Sequence, residues 1–149
     1  MNQVVVKQEK SGYQIVEAYK SLRTNLQFCG EDKKVIAITS CTPNEGKSSV
    51  SMQLGISLAE IGKRVILIDA DLRKSVLLGR TKTEKSVRGL AHFLSGQASL
   101  EDVICATNIK NFYMIYSGPF PPNPAELLGG KNFRSLLNAL RKVYDLSLI

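Results

Sequence analysis

Ser40-Cys41-Thr42-Pro43-Asn44-Glu45-Gly46-Lys47-Ser48-Ser49 is the stretch on which the reading of this chain turns. Before it, Val35 to Thr39 is a short β-branched apolar run; after it, Ser48 to Ile61 has the length and period of a helix closed by Gly62. A phosphate-binding loop belongs in such a strand–loop–helix setting, because successive backbone N–H groups and the positive end of the helix dipole can surround phosphate oxygens there. Gly46 stands where a side chain would collide with phosphate. Lys47 can neutralise outer-phosphate charge, and the Ser48 hydroxyl can ligate magnesium. Pro43, Asn44, Glu45, Gly46, Lys47, Ser48 and Ser49 are therefore the candidate nucleotide-binding residues. The full Walker A pattern would place a glycine five residues before Gly46, where Cys41 stands. A Gly-Lys-Ser triplet alone also suits a polar helix start, so the surrounding segments must decide.

The next segment is Val65-Ile66-Leu67-Ile68-Asp69-Ala70-Asp71, an apolar run emptying into two carboxylates. It follows the first strand through a helical crossover, the connection that joins parallel strands, so the expected fold is α/β with a mainly parallel sheet flanked by helices. Ligands of open parallel sheets gather at the carboxyl ends of the strands, which would bring Asp69 and Asp71 to the phosphate loop. Paired acids there can bind a metal or accept a proton from an attacking hydroxyl; alternatively Asp69 caps a turn and Asp71 is solvated.

Other elements follow from local signals. Glu17 to Phe28 spaces Ala18, Leu22, Leu26 and Phe28 at about helical period, with Gly30 as a stop. Thr81 to Ser86 is polar and expected to be a mobile loop. Val87 to Leu94 and Leu100 to Ile104 read as short helices, the second opened by a Ser99/Asp102 capping pattern. Phe112 to Tyr116 reads as a strand. Asn123, Pro124 and Glu126 have N-cap, N1 and N3 character for a helix through Leu128, and Asn132 to Val143 is a longer helix. Leu146 to Ile149 begins a fourth apolar strand.

The chain has 149 residues, 44% apolar and 22% charged, the make-up of one globular domain spanning 1–149. No apolar run approaches the roughly 20 residues of a membrane span, and Met1 to Tyr13 has no signal-peptide core, so a cytoplasmic location is expected. Cys29, Cys41 and Cys105 lack the spacing of a disulfide framework or zinc site. The net charge of +7 is scattered through the sequence without interleaved aromatic residues, so no nucleic-acid partner is expected. His92 and the dispersed tyrosines Tyr13, Tyr19, Tyr113, Tyr116 and Tyr144 read as structural.

Together these segments resemble the bacterial tyrosine kinases that regulate capsular and exopolysaccharide synthesis and export. Pro43 to Ser49 and Ile68 to Arg73 are similar to that family's Walker A and Walker A′ motifs. Glu17-Ala18-Tyr19-Lys20-Ser21-Leu22-Arg23 is similar to its ExxRxxR motif, with Lys20 at the first arginine. Ser117-Gly118-Pro119-Phe120-Pro121-Pro122-Asn123-Pro124-Ala125-Glu126-Leu127-Leu128 is similar to its GPxPPNPxELL signature. The resemblance implies a P-loop NTPase fold and an ATP- and magnesium-dependent protein-tyrosine autokinase. Lys47 would steady the phosphates, Ser48 and Asp71 would hold Mg2+, and Asp69 would accept the tyrosine proton; the two aspartates could exchange roles. Glu17, Lys20 and Arg23, on a helix over residues 17–28, would assemble a homo-oligomer. A transmembrane activator, the polysaccharide co-polymerase, would recruit the protein to the inner face of the membrane, and the substrates would be protein tyrosines. The family continues from a Tyr-Asp-apolar run into a Walker B aspartate and later a tyrosine-rich tail, so the resemblance also implies a fold incomplete at the C-terminus and a chain inactive as a kinase by itself. Two alternatives remain: a partitioning-type ATPase switch, whose members usually carry a second lysine near Ser40 and Cys41, and a non-catalytic nucleotide-binding fragment.

Overall fold

The computed structural model describes residues 1–7, 12–39, 47–72 and 87–149, with the backbone alone at 81–83. In chain order the elements are β1 (Asn2–Val6), α1 (Tyr13–Phe28), β2 (Val35–Ile36), α2 (Lys47–Glu60), β3 (Val65–Ile68), β4 (Thr81–Thr83), α3 (Leu90–Leu94), α4 (Leu100–Val103), β5 (Cys105–Thr107), β6 (Phe112–Ile115), α5 (Pro124–Gly129), α6 (Lys131–Val143) and β7 (Leu146–Leu148). Among the described residues the strands form one sheet in the order β2-β7-β3-β6-β5-β1-β4.

The centre of the sheet is parallel, with β3 pairing β6 and β7, and β7 pairing β2. β1 also runs parallel to β5, whereas β5 meets β6, and β4 meets β1, antiparallel. The sheet is thus mixed and mainly parallel. Three elements, β1, β4 and β5, depart from the sequence reading. Gln3-Val4-Val5-Val6 is a strand whose alternation is visible in its burial: Val4 and Val6 enter the core while Val5 stays exposed. Residues 81–83, expected to be loop, are a strand that uses β1 as its partner; Glu84, Lys85 and Ser86 lie outside the described residues.

Period-two alternation divides β3 between two cores. Val65 and Leu67 join Met52, Leu58 and Phe112 beneath α2, while Ile66 and Ile68 join Leu136 and Leu140 beneath α6. Each such buried side chain contributes about 1.5–3 kcal/mol. α2 is buried on nearly every side because the sheet lies under it and α1 lies across it, with the Arg23 guanidinium donating to the Ser57 carbonyl at 2.9 Å and to its Oγ at 3.2 Å. α1 starts at Tyr13, four positions before Glu17, and buries no side chain fully. α4 opens with the expected reciprocal cap: Ser99 N–H donates to Asp102 Oδ2, and Asp102 N–H to Ser99 Oγ. Hydrogen bonding from the Ser99 backbone N–H, and then from the Ser99 side chain, holds the Asp102 carboxyl below its usual range.

β7 lies beside the strand that leads to the phosphate loop. The pairing runs past the assigned strands, since Ile149 N–H donates to the Ile36 carbonyl at 2.9 Å and Ile38 N–H to the Ile149 carbonyl at 2.8 Å. The backbone of 35–38 is therefore tied to β7, and β2 is the outermost strand on that side.

Candidate functional site

β2, β7, β3 and β6 run in one direction, so their carboxyl ends share one edge of the sheet. A cavity of about 350 Å³ opens there, and Lys47, Ser48, Asp69 and Asp71 all line it. Pro43, Asn44, Glu45 and Gly46 lie outside the described residues, as do Cys41 and Arg73. Ser49 is half-buried in the first turn of α2.

Each side chain has a distinct local origin. Lys47 and Ser48 begin α2, so they stand at the positive end of a 14-residue helix. Ser51 Oγ donates to the Lys47 carbonyl at 2.7 Å, bracing that first turn. Asp69 leaves β3 directly and is buried, with its N–H on the Ile115 carbonyl at 2.9 Å. Its Oδ1 accepts from the Asp71 N–H at 3.1 Å. This Asx-type turn fixes the Asp69 carboxylate and turns the chain so that Asp71 comes back to the cavity. Lys47 Nζ then lies 3.9 Å from Asp71 Oδ2, each side chain a little over one-third exposed. At that length and exposure the pair contributes at most about 1 kcal/mol to stability. Its arrangement is a preset alternation of charge around a space.

The donor set fits a hard cation that arrives with phosphate. Among the described residues no trio of His, Cys, Asp and Glu gathers into a metal cage. A hydroxyl and one or two carboxylates are what magnesium takes from a protein when phosphate oxygens and water complete its shell. The wall contributed by Ala37, Ile38 and Ile149 was not apparent as part of a site in the sequence; its signal was position, since these residues sit at strand exits on the same edge.

The other predicted set is not brought together in the same way. Lys20 Nζ meets Glu17 Oε1 at 3.4 Å on the open surface of α1, whereas Arg23 turns inward to Ser57. Among the described residues no helix is long and apolar enough to cross a membrane.

The family model for the AAA domain matches residues 33–149, spanning every residue that lines the cavity. The chain belongs to the AAA-domain family. Nucleotide binding is what this membership implies. Its homologues include the tyrosine-protein kinase CpsD of Streptococcus agalactiae, 42% identical over 133 residues that cover 89% of this chain and 58% of the relative. Tyrosine-protein kinase YwqD of Bacillus subtilis is 41% identical over 132 residues, 87% of this chain and 55% of the relative. The solved BceF tyrosine kinase domain superposes with a TM-score of 0.81 at 42% identity, covering 90% of this chain and 54% of that one. The septum site-determining protein MinD from Pyrococcus horikoshii, solved with Mg-ADP, gives a TM-score of 0.64 at 28% identity, over 78% of this chain and 48% of that one. This AAA-domain chain therefore spans little more than half the length of these two curated relatives.

Proposed function

We propose that this AAA-domain chain is the nucleotide-binding part of an ATP- and magnesium-dependent protein-tyrosine kinase of the polysaccharide-export type. The observation that carries the reading is the convergence of Lys47, Ser48, Asp69 and Asp71 on one cavity at the carboxyl edge, in a chain whose homologues are named tyrosine-protein kinases. Phosphoryl transfer asks for positioning and charge more than covalent chemistry. Lys47 neutralises the outer phosphates, and the backbone N–H groups at the start of α2 add the helix dipole. The Ser48 hydroxyl and Asp71 would hold magnesium, which when bound would supply charge neutralisation for the phosphates. Asp69 takes the phenolic proton as the tyrosine oxygen forms its bond to the terminal phosphorus and the bond to the departing diphosphate breaks. Burial and the Asp71 N–H support Asp69 in that role, and the nearness of Asp71 to Lys47 supports Asp71 on the metal side.

A cytoplasmic protein recruited to the membrane by a transmembrane activator, and assembled into a homo-oligomer through Glu17, Lys20 and Arg23, completes this reading. Sedimentation of the Glu17/Lys20/Arg23 triple alanine variant tests the assembly. Unchanged oligomers would remove these residues from it, and the Arg23–Ser57 contact would stand as a tie within one protomer. A second reading, a partitioning-type ATPase switch, is favoured by the likeness to MinD. Incubation of the full-length protein with radiolabelled ATP and magnesium separates the two. Label on protein tyrosine supports the kinase; release of free phosphate without phosphotyrosine supports the switch.

A further inference from the structure

The segment that leaves β6 runs out at the same edge as Asp69, because the Asp69 N–H is bonded to the Ile115 carbonyl at 2.9 Å. Its base is held firmly. Leu90 N–H donates to the Tyr116 carbonyl at 2.6 Å and Ala91 N–H to the Ser117 carbonyl at 2.9 Å, so the start of α3 clasps the strand exit. The two backbones touch at a pair of glycines. A Cβ on Gly89 would lie 2.3 Å from the Gly118 nitrogen, and Gly118 has a φ of +80°, which side-chain-bearing residues rarely adopt. His92 Nδ1 accepts the Gly89 N–H at 3.0 Å and braces the same contact. Beyond Gly118, Pro119, Pro121 and Pro122 restrict the backbone on either side of Phe120, and α5 begins at Pro124.

This braced segment carries an aromatic ring in water. Phe120 is 65% exposed, whereas Leu72 and Tyr116, the other large apolar side chains described in the exits of β3 and β6, are 4% and 3% exposed. An isolated exposed side chain on a pliant surface calls for no explanation. Here the backbone that presents it is fixed by prolines and a glycine contact, so little ordering entropy remains to oppose docking of a second ring.

We propose that Phe120 is the docking platform for the acceptor, stacking against the aromatic ring of a tyrosine in the protein segment that enters the site. The occupant follows from the kinase reading, on which this inference rests. A tyrosine-bearing segment must lie at this edge with its hydroxyl turned toward Asp69, and the rings it brings are aromatic. Phe120 is a specificity residue, and it acts on the acceptor without acting on the nucleotide.

The chain contains no tryptophan, so Phe120→Trp places a single indole at the platform. Titration with a tyrosine-rich peptide should change its emission saturably, and the same peptide with alanine for tyrosine should not. By calorimetry, Phe120→Ala should bind the tyrosine peptide about three- to tenfold more weakly, the range that one aromatic pair supplies. Phe120→Leu should behave like the alanine variant, and affinity for magnesium nucleotide should be unchanged in both. Equal peptide binding by the wild type and Phe120→Ala, or no binding by either, would overturn the inference. Phosphotyrosine is scored separately. In the full-length protein, transfer with an unaltered KM in Phe120→Ala removes the platform and leaves the kinase; peptide binding through Phe120 without transfer by the full-length wild type keeps the platform and removes the kinase.

Discussion

The two edges of the central sheet use charged and aromatic residues in opposite ways. At the amino edge, Arg64 N–H donates to Asp145 Oδ2 at 2.8 Å, and the Arg64 carbonyl accepts from the N–H groups of Asp145 and Leu146. Its guanidinium lies 5.5 Å from the Tyr113 ring centroid and 5.2 Å from that of Tyr144, and the two rings meet edge to face at 5.2 Å. At the carboxyl edge, Lys47 and Asp71 stand 3.9 Å apart across an open cavity, and Phe120 is held in water. Residues at the first edge are arranged to close on one another. Those at the second line an open cavity. Charge that closes on the fold and charge that lines the cavity are thus separated by the length of a strand.

The largest effect expected from breaking this contrast belongs to Lys47→Met. Removing the fixed cation from the cavity should weaken magnesium-nucleotide binding about 10- to 100-fold, the range of a charge-assisted contact, with little change in thermal stability. Calorimetry and a melting curve on the same sample check both halves. Gly55→Ala should do the reverse. Its Cβ would lie 2.6 Å from Cε1 of the fully buried Phe112, so a loss of about 1–3 kcal/mol in stability is expected with nucleotide affinity preserved in the folded fraction. Denaturant unfolding measures it.

A smaller loss, about 0.5–1 kcal/mol, is expected for Arg64→Ala, which removes an exposed cation from two aromatic rings. Nucleotide affinity should again stay constant; a fall in affinity would show that the edges communicate. The finest test is a titration. Burial pushes the Tyr144 phenol above its ordinary value of 10.0, while the Arg64 charge holds it down. Because the pKa is raised in the folded state, this phenol's contribution to stability is complete below the ordinary value and is lost as the pH climbs through the folded one. Phenolate absorbance in Arg64→Ala should therefore show one tyrosine ionising at still higher pH than in the parent.

What could be read from the sequence was whatever local chemistry specifies. Val65 to Ile68 announced a strand buried on both faces, and Ser99 with Asp102 announced a helix start whose two reciprocal bonds are both present. Asp69, Asp71, Lys47 and Ser48 could be grouped because strand exits on a parallel edge must converge. At Asn123 the helix start was legible but its cap was not: Pro124 is at N1, while the Asn123 amide donates to Glu126 Oε2 and its side chain caps no backbone group. The elements that escaped are held by distant partners. β5 has three residues and no period of its own, and β4 looks like loop because its partner is β1. Arg23, grouped with Glu17 and Lys20 by the family resemblance, is drawn away by Ser57, a contact that no motif on α1 contains.

The pairing of β1 with β5 has a consequence for how the chain comes to be folded. Val6 N–H donates to Asn108 Oδ1 across 102 positions of sequence, and Asn2 is in register with Cys105. A contact of such separation must close a long loop before it returns any free energy, which makes it a late event in folding. During synthesis β1 is made before both of its partners, β4 and β5, and it stays unpaired until they have left the ribosome. Until then Val4 and Val6 face solvent on an unpaired strand, the kind of edge that pairs with other chains. β1 is thus a segment at which crowding by neighbouring nascent chains would divert this protein from its native sheet.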